Sequence, residues 1–245
     1  MSKNPLAQFE ISSILALPDL FGYQITLTNS ALYMCLATFL SILMLVGGVL
    51  RVSLVPGKWQ AAVEILYSMV NNTIVSSAGD AALKYRSIIF TIFMFVLMCN
   101  LIGMFPIPHA FTPTSHISVT LTLAMFVFIW CTFIAFQRQG LSFFRIFLPA
   151  GTPLWLAPMM ILVEVFAYFA RPVSLSVRLA ANMIAGHTIL KVIAGFVISA
   201  NFYFAVFPLI FVILLIVFEI FIAILQAYIF TMLTCVYLND SLNAH

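Results

Sequence analysis

The sequence predicts an all-α membrane protein with five transmembrane helices plus one interfacial amphipathic helix, and three observations carry that prediction. Of 245 residues, 64% are hydrophobic and only 7% are charged, with a mean hydropathy of +1.18. A soluble domain carries charge on about a quarter of its residues. The apolar residues gather in runs that match a ~30 Å hydrocarbon core, which takes about 20 helical residues. Lys and Arg fall in alternate connections, as in a chain threaded back and forth through a bilayer. The net charge of +3 rests on so few groups that it gives no reason to expect a nucleic-acid partner.

The first span covers 31–50 and ends at Arg51. Residues 57–80 differ: Trp59, Val63, Leu66, Met69, Val70 and Ile74 recur at helical spacing among Lys58, Gln60, Glu64, Asn71 and Asn72. That pattern suits a helix lying in the interface. The second span, 88–104, stops at a Pro-rich turn over 105–113, where helix cannot continue. His109 and His116 flank this turn and read as solvated groups that could line an entrance. The third span, 117–136, ends at Gln137-Arg-Gln-Gly140. Two long segments follow, 158–199 and 203–238. The first would extend ~60 Å as a helix, and both exceed the ~30 Å core. They must be tilted or broken, with Pro172 and Pro208 as candidate kinks. All six elements form one membrane domain.

Basic residues set the orientation. Arg51, Lys58, Lys84 and Arg86 lie between the first two spans, and Arg138 and Arg145 precede the long pair. The 105–116 turn and the 199–203 connection hold no Lys or Arg. This places the N-terminus outside and the C-terminus inside. Residues 1–10 are polar and lack the apolar core of a cleavable signal, so insertion falls to the first span. Cys35, Cys99, Cys131 and Cys235 show no metal-ligand spacing, and no cofactor is expected.

The ionisable groups within the long segments carry the chemistry. Arg178 stands mid-segment, where a cation costs from about 2.5 to more than 10 kcal/mol. On a helical wheel Glu164 lies ~21 Å toward the inside on nearly the same face, and His187 ~13 Å toward the outside on the opposite face. Asn182 is one turn from Arg178. Glu219 and Gln226, seven residues apart, share a face of the last helix. Antiparallel packing would set Glu219 level with His187 and Gln226 closer to Arg178. His and Glu titrate near neutral pH when partly buried, so they can pass protons. Arginine stays charged and acts as a barrier between two half-paths. Arg171 and Lys191 read as side chains that snorkel toward the two membrane faces.

The strings Arg178-Leu-Ala-Ala-Asn182-Met-Ile-Ala-Gly-His187, Pro172-Val-Ser-Leu-Ser and Glu219-Ile-Phe-Ile-Ala-Ile-Leu-Gln226-Ala-Tyr-Ile-Phe resemble the subunit a family of rotary F-type ATP synthases. Asn4-Pro-Leu-Ala-Gln-Phe-Glu10 and Phe111-Thr-Pro-Thr-Ser-His116 add to the resemblance, which covers essentially the whole chain. It implies that the two long helices form a tilted hairpin against a rotating ring of c subunits. Arg178 would then face the ring carboxylate. His187, Glu219, Gln226 and Asn182 would belong to the outer half-channel and Glu164 to the inner one. The implied partners are the c-ring, b-type peripheral-stalk subunits, other membrane subunits of the synthase and the bilayer. The order His187 then Glu219 resembles the mitochondrial and alphaproteobacterial type, so either a mitochondrial inner membrane or a bacterial cytoplasmic membrane fits. ATP chemistry would happen elsewhere, because no phosphate-binding glycine loop is present.

The competing reading is a stand-alone proton-coupled secondary transporter, which would call for paired repeats and a midplane substrate site. A haem-bearing redox subunit would need several histidines within the spans, and only His187 lies there.

Overall fold

A computed structural model describes residues 13–16, 26–50, 53–104, 112–140, 143, 155–199 and 202–243. Six helices account for nearly all of them: α1 (Asn29–Val49), α2 (Lys58–Ala78), α3 (Arg86–Met104), α4 (Ile117–Gln139), α5 (Ala157–Ser199) and α6 (Phe202–Asn243). Short 3-10 turns, Asp80–Tyr85 and Pro113–Ser115, precede α3 and α4. Five of the helical stretches are long and apolar enough to cross a membrane, and α2 is not among them. The expectation of an all-α chain needs one amendment. Ser13–Ala16 (β1) and Thr26–Thr28 (β2) pair antiparallel just before α1, with Leu15 opposite Leu27. Too short to form helices, these stretches satisfy backbone groups by pairing with each other. Residues 1–10 and the 105–111 stretch, with His109, lie outside the described residues, as does Arg145.

Local chemistry sets the helix ends. The Thr28 hydroxyl accepts from the Ala31 amide at 3.4 Å and caps α1. Helices α2 and α4 stop at Gly79 and Gly140, with φ of 71° and 55°. A side chain in that left-handed region costs about 1–2 kcal/mol, which is why glycine occupies both sites. Helices α5 and α6 run through Pro172 and Pro208 without a break. A wholly helical α5 of 43 residues extends ~65 Å, about twice the hydrocarbon core.

The core lies where α2, α3 and α4 meet α5 and α6. Val70 and Ile74 of α2, Ile89 and Phe93 of α3, Val127 of α4, Leu175 and Leu179 of α5, and Phe230 and Leu238 of α6 are all buried there. Ala223 and Ala227, both fully buried, keep α6 narrow where α3 crosses it. In α2 the face holding Val63, Val70, Ile74 and Ala78 turns inward, while Trp59, Ile65 and Tyr67 are exposed. Most of α5 and α6 is left uncovered, with Val177, Ile189, Phe207, Leu214, Val217 and Phe221 among the exposed apolar side chains.

A tight polar cluster closes the 157 end of α5 onto the 243 end of α6. Arg171 Nη1 meets Asp240 Oδ2 at 2.7 Å, and the guanidinium sits 5.8 Å from the Tyr168 ring centre and 5.7 Å from that of Tyr237. Tyr168 in turn hydrogen-bonds Thr132 of α4 at 2.7 Å, and Gln139 Nε2 donates to the Ser241 carbonyl at 3.0 Å. Arg171, expected to snorkel toward a membrane face, forms an ion pair between helices while staying partly exposed. Asp240→Asn should lower the stability of the helix pair by about 1 kcal/mol, since the pair is charged but partly exposed. Thermal unfolding of the purified assembly would show a lower transition temperature, and an unchanged one would count against the clamp.

Candidate functional site

Helices α5 and α6 pack antiparallel, and three side-chain pairs mark successive levels along them. Arg171 meets Asp240, then Asn182 Nδ2 donates to Gln226 Oε1 at 3.0 Å, then His187 Nδ1 approaches Glu219 Oε1 at 3.3 Å. The heptad spacing of Glu219 and Gln226 puts both on the α6 face turned to α5. The structure thus brings together four of the six residues singled out in the sequence, as two adjacent pairs.

The His187–Glu219 pair is enclosed. The Glu219 side chain is 7% exposed and that of His187 12%. Gly186 makes the approach possible: a Cβ there would stand 2.7 Å from Glu219 Oε1. His187 Nε2 lies 2.8 Å from Thr112 Oγ1 on the segment before α4. The segment 112–115 is buried, so the residues next to the Pro-rich stretch fold back into the bundle. Thr114 Oγ1 donates to Asn100 Oδ1 at 2.9 Å, and Asn100 Nδ2 donates to the Ala223 carbonyl of α6 at 3.2 Å. Asn100 is itself fully buried in α3. Burial pulls the pKa of His116 below the usual histidine value.

Arg178 is the central residue of α5 and is exposed, as are Ser174, Ala181 and Ala185 on the same face. These small side chains leave the guanidinium standing on a smooth helical surface. Among the described residues no carboxylate lies within ion-pair distance of it. Gln226 is 1% exposed, and its Nε2 has no hydrogen-bond partner among the described residues. Glu164 is half-buried and joins neither pair; it sits about two turns before Arg171, on the Asp240 side of the arginine.

Chemically, the cluster can hold and pass a proton between an imidazole and a carboxylate, with amide groups alongside and a fixed positive charge further along the helix. Sequence reasoning missed Thr112, Thr114 and Asn100. An asparagine inside the apolar run of α3 was a visible signal, because a buried amide needs partners.

Three comparisons bear on what such a chain is. Residues 31–239 match the family model described as ATP synthase A chain. A protein of Ehrlichia ruminantium named ATP synthase subunit a is 57% identical over 245 residues, covering 100% of both chains. Proteins of the same name from Neorickettsia sennetsu and a Wolbachia of Drosophila simulans are 54% and 52% identical, covering 99% and 98% of this chain and 100% and 99% of theirs.

Gly186→Ala should push the Glu219 carboxylate away from His187. A displacement of this kind costs on the order of tenfold or more in a positioned reaction. Proton flux in vesicles carrying the variant should fall by that factor with the assembly intact, and undiminished flux would show that the contact is not needed.

Proposed function

The chain belongs to the ATP synthase A chain family, and from that premise we propose that α5 and α6 form two offset proton half-channels serving a rotating ring of c subunits. As a family member it is an integral membrane, proton-translocating component of the multisubunit ATP synthase, not an enzyme by itself. The alternative of a stand-alone transporter is not favoured.

The observation that carries the proposal is the bare cation. Arg178 is exposed on a helix that by length and composition spans the membrane, and among the described residues no carboxylate stands close enough to neutralise it. A charge so placed needs a counter-charge from a partner, because the bilayer supplies none. Small side chains around it would let a partner helix come close. The c-ring carboxylate fits both features.

In this reading a proton enters from the outside through His187 and Glu219 and neutralises a ring carboxylate. The neutral site then turns into lipid without the penalty of a bare charge. After nearly a full turn it meets the inner half-channel at Glu164 and releases its proton. Arg178 attracts the freed carboxylate, favours its ionised form and blocks a direct leak between the half-channels. Asn182 and Gln226, one turn from Arg178 on the outer side, line the step between relay and ring. The unpartnered Gln226 Nε2 supports a missing group there. The membrane potential contributes about 2.3 kcal/mol per charge per 100 mV.

The finer placement follows the same reading. The apolar and basic pattern of α2 supports an interfacial position, and α5 with α6 would tilt as a hairpin against the ring. The basic residues support an N-terminus outside and a C-terminus inside. The b-type stalk subunits would hold the chain still against the ring. The bacterial relatives support a bacterial cytoplasmic membrane over the mitochondrial one.

Arg178→Ala tests the reading directly. ATP-driven proton pumping by vesicles carrying the complex should be lost with assembly intact, and passive proton leak should rise. Undiminished pumping would remove the role given to the arginine.

A further inference from the structure

We infer that Thr112 is a positioning residue of the proton path, holding the His187 ring through a hydroxyl that reverses its hydrogen-bond role when the imidazole gains a proton. This rests on the reading of His187 and Glu219 as the outer path.

Several observations converge on Thr112. Its Oγ1 lies 2.8 Å from His187 Nε2, while the other ring nitrogen, Nδ1, faces Glu219 Oε1 at 3.3 Å. The hydroxyl from the segment before α4 thus holds one ring nitrogen, while the α6 carboxylate stands beside the other without an aligned hydrogen bond. Thr112 is 3% exposed and is fixed by its neighbours: Ser115 Oγ donates to the Thr112 carbonyl at 2.7 Å, and Thr114, two residues on, donates to Asn100. Gly103 of α3 leaves the room it occupies, since any Cβ at 103 would collide with the Thr112 side chain. A threonine seated against a glycine and aimed at a relay histidine is more than a turn residue.

The hydroxyl suits the task because it both donates and accepts. While His187 is neutral with its proton on Nδ1, the Thr112 O–H donates to Nε2. When a proton arrives at Nε2, the new N–H donates to the Thr112 oxygen and the hydroxyl hydrogen turns away. The ring need not move in either state. The charged and titratable groups around it are Glu219 on α6, Lys191 one turn further along α5, and His116 at the start of α4; α3 brings the neutral Asn100 and Gly103 to this region.

The sign of the effect follows. Thr112→Val removes an ordinary donor from the neutral imidazole but a charge-assisted acceptor from the imidazolium, and the second loss is larger. Loading His187 then takes a higher proton concentration on the outer side. Thr112→Ser keeps the hydroxyl and should rescue the function.

The experiment is ATP synthesis by inverted membrane vesicles carrying the complete complex. Synthesis is driven by a fixed diffusion potential and followed against lumenal pH at constant external pH. For Thr112→Val the profile should move toward acid by about one unit, with the rate recovering at the acid end. Thr112→Ser should keep the wild-type profile and a rate within about twofold. A Val profile that is lower at every pH but not displaced would overturn the inference, as would a Ser variant displaced as far as Val. If the Val variant fails to assemble, Thr112→Cys takes its place, with a smaller displacement in the same direction expected and an undisplaced profile overturning the idea. His187→Gln is run alongside. If that change leaves rate and profile untouched, the outer-path reading itself fails. If it abolishes synthesis while Thr112→Val leaves the profile in place, only the role of Thr112 falls.

Discussion

A guanidinium fixed at the centre of a 43-residue helix, with no acid among the described residues in ion-pair reach, is the constraint on which the rest of this protein depends. A mid-membrane cation costs from about 2.5 to more than 10 kcal/mol. In the proposed reading a partner's carboxylate offsets that cost. The fold keeps the charge exposed: Leu175 and Leu179, on the adjoining face of α5, are buried in the core, while Arg178 and its small neighbours face outward. The core packing that holds α5 in place thus also sets which way the arginine points.

The two ends of the α5–α6 pair are secured by different means. Toward residue 157 the clamp is ionic and aromatic, built from Arg171, Asp240, Tyr168 and Tyr237. Toward the other end lies a polar cluster in which Thr114 bonds Asn100 and Thr112 bonds His187, with Glu219 close beside the imidazole. Glycines at 103 and 186 let this cluster close, each leaving the space that a neighbouring polar side chain takes up. Between the two clamps lie Arg178 and the Asn182–Gln226 pair, so the registry of the whole face is held from both sides.

Much of this could be read from the residues. Hydropathy alone separates the five membrane-crossing helices from α2, because a ~30 Å core sets a minimum apolar length. The levels of His187 with Glu219 and of Asn182 with Gln226 follow from helical spacing and an antiparallel pair. What escaped the sequence was tertiary. A Pro-rich stretch marks a turn, but nothing local says that Thr112–Ser115 folds back into the bundle to meet His187. Pro172 and Pro208 offered a choice between breaking and continuing, and both helices continue through them. Arg171 looked like a cation reaching for the membrane surface because its partner, Asp240, stands 69 residues away. The strand pair before α1 carries too few residues for a pattern to show.

The most direct measurement is the structure of the assembled complex at a resolution that shows side chains around Arg178. The account predicts a carboxylate from a neighbouring membrane helix facing the guanidinium within ion-pair or single-water distance, with the small-residue face of α5 against that helix. A guanidinium neutralised instead by a lipid phosphate, or by an acid of its own chain, would contradict it.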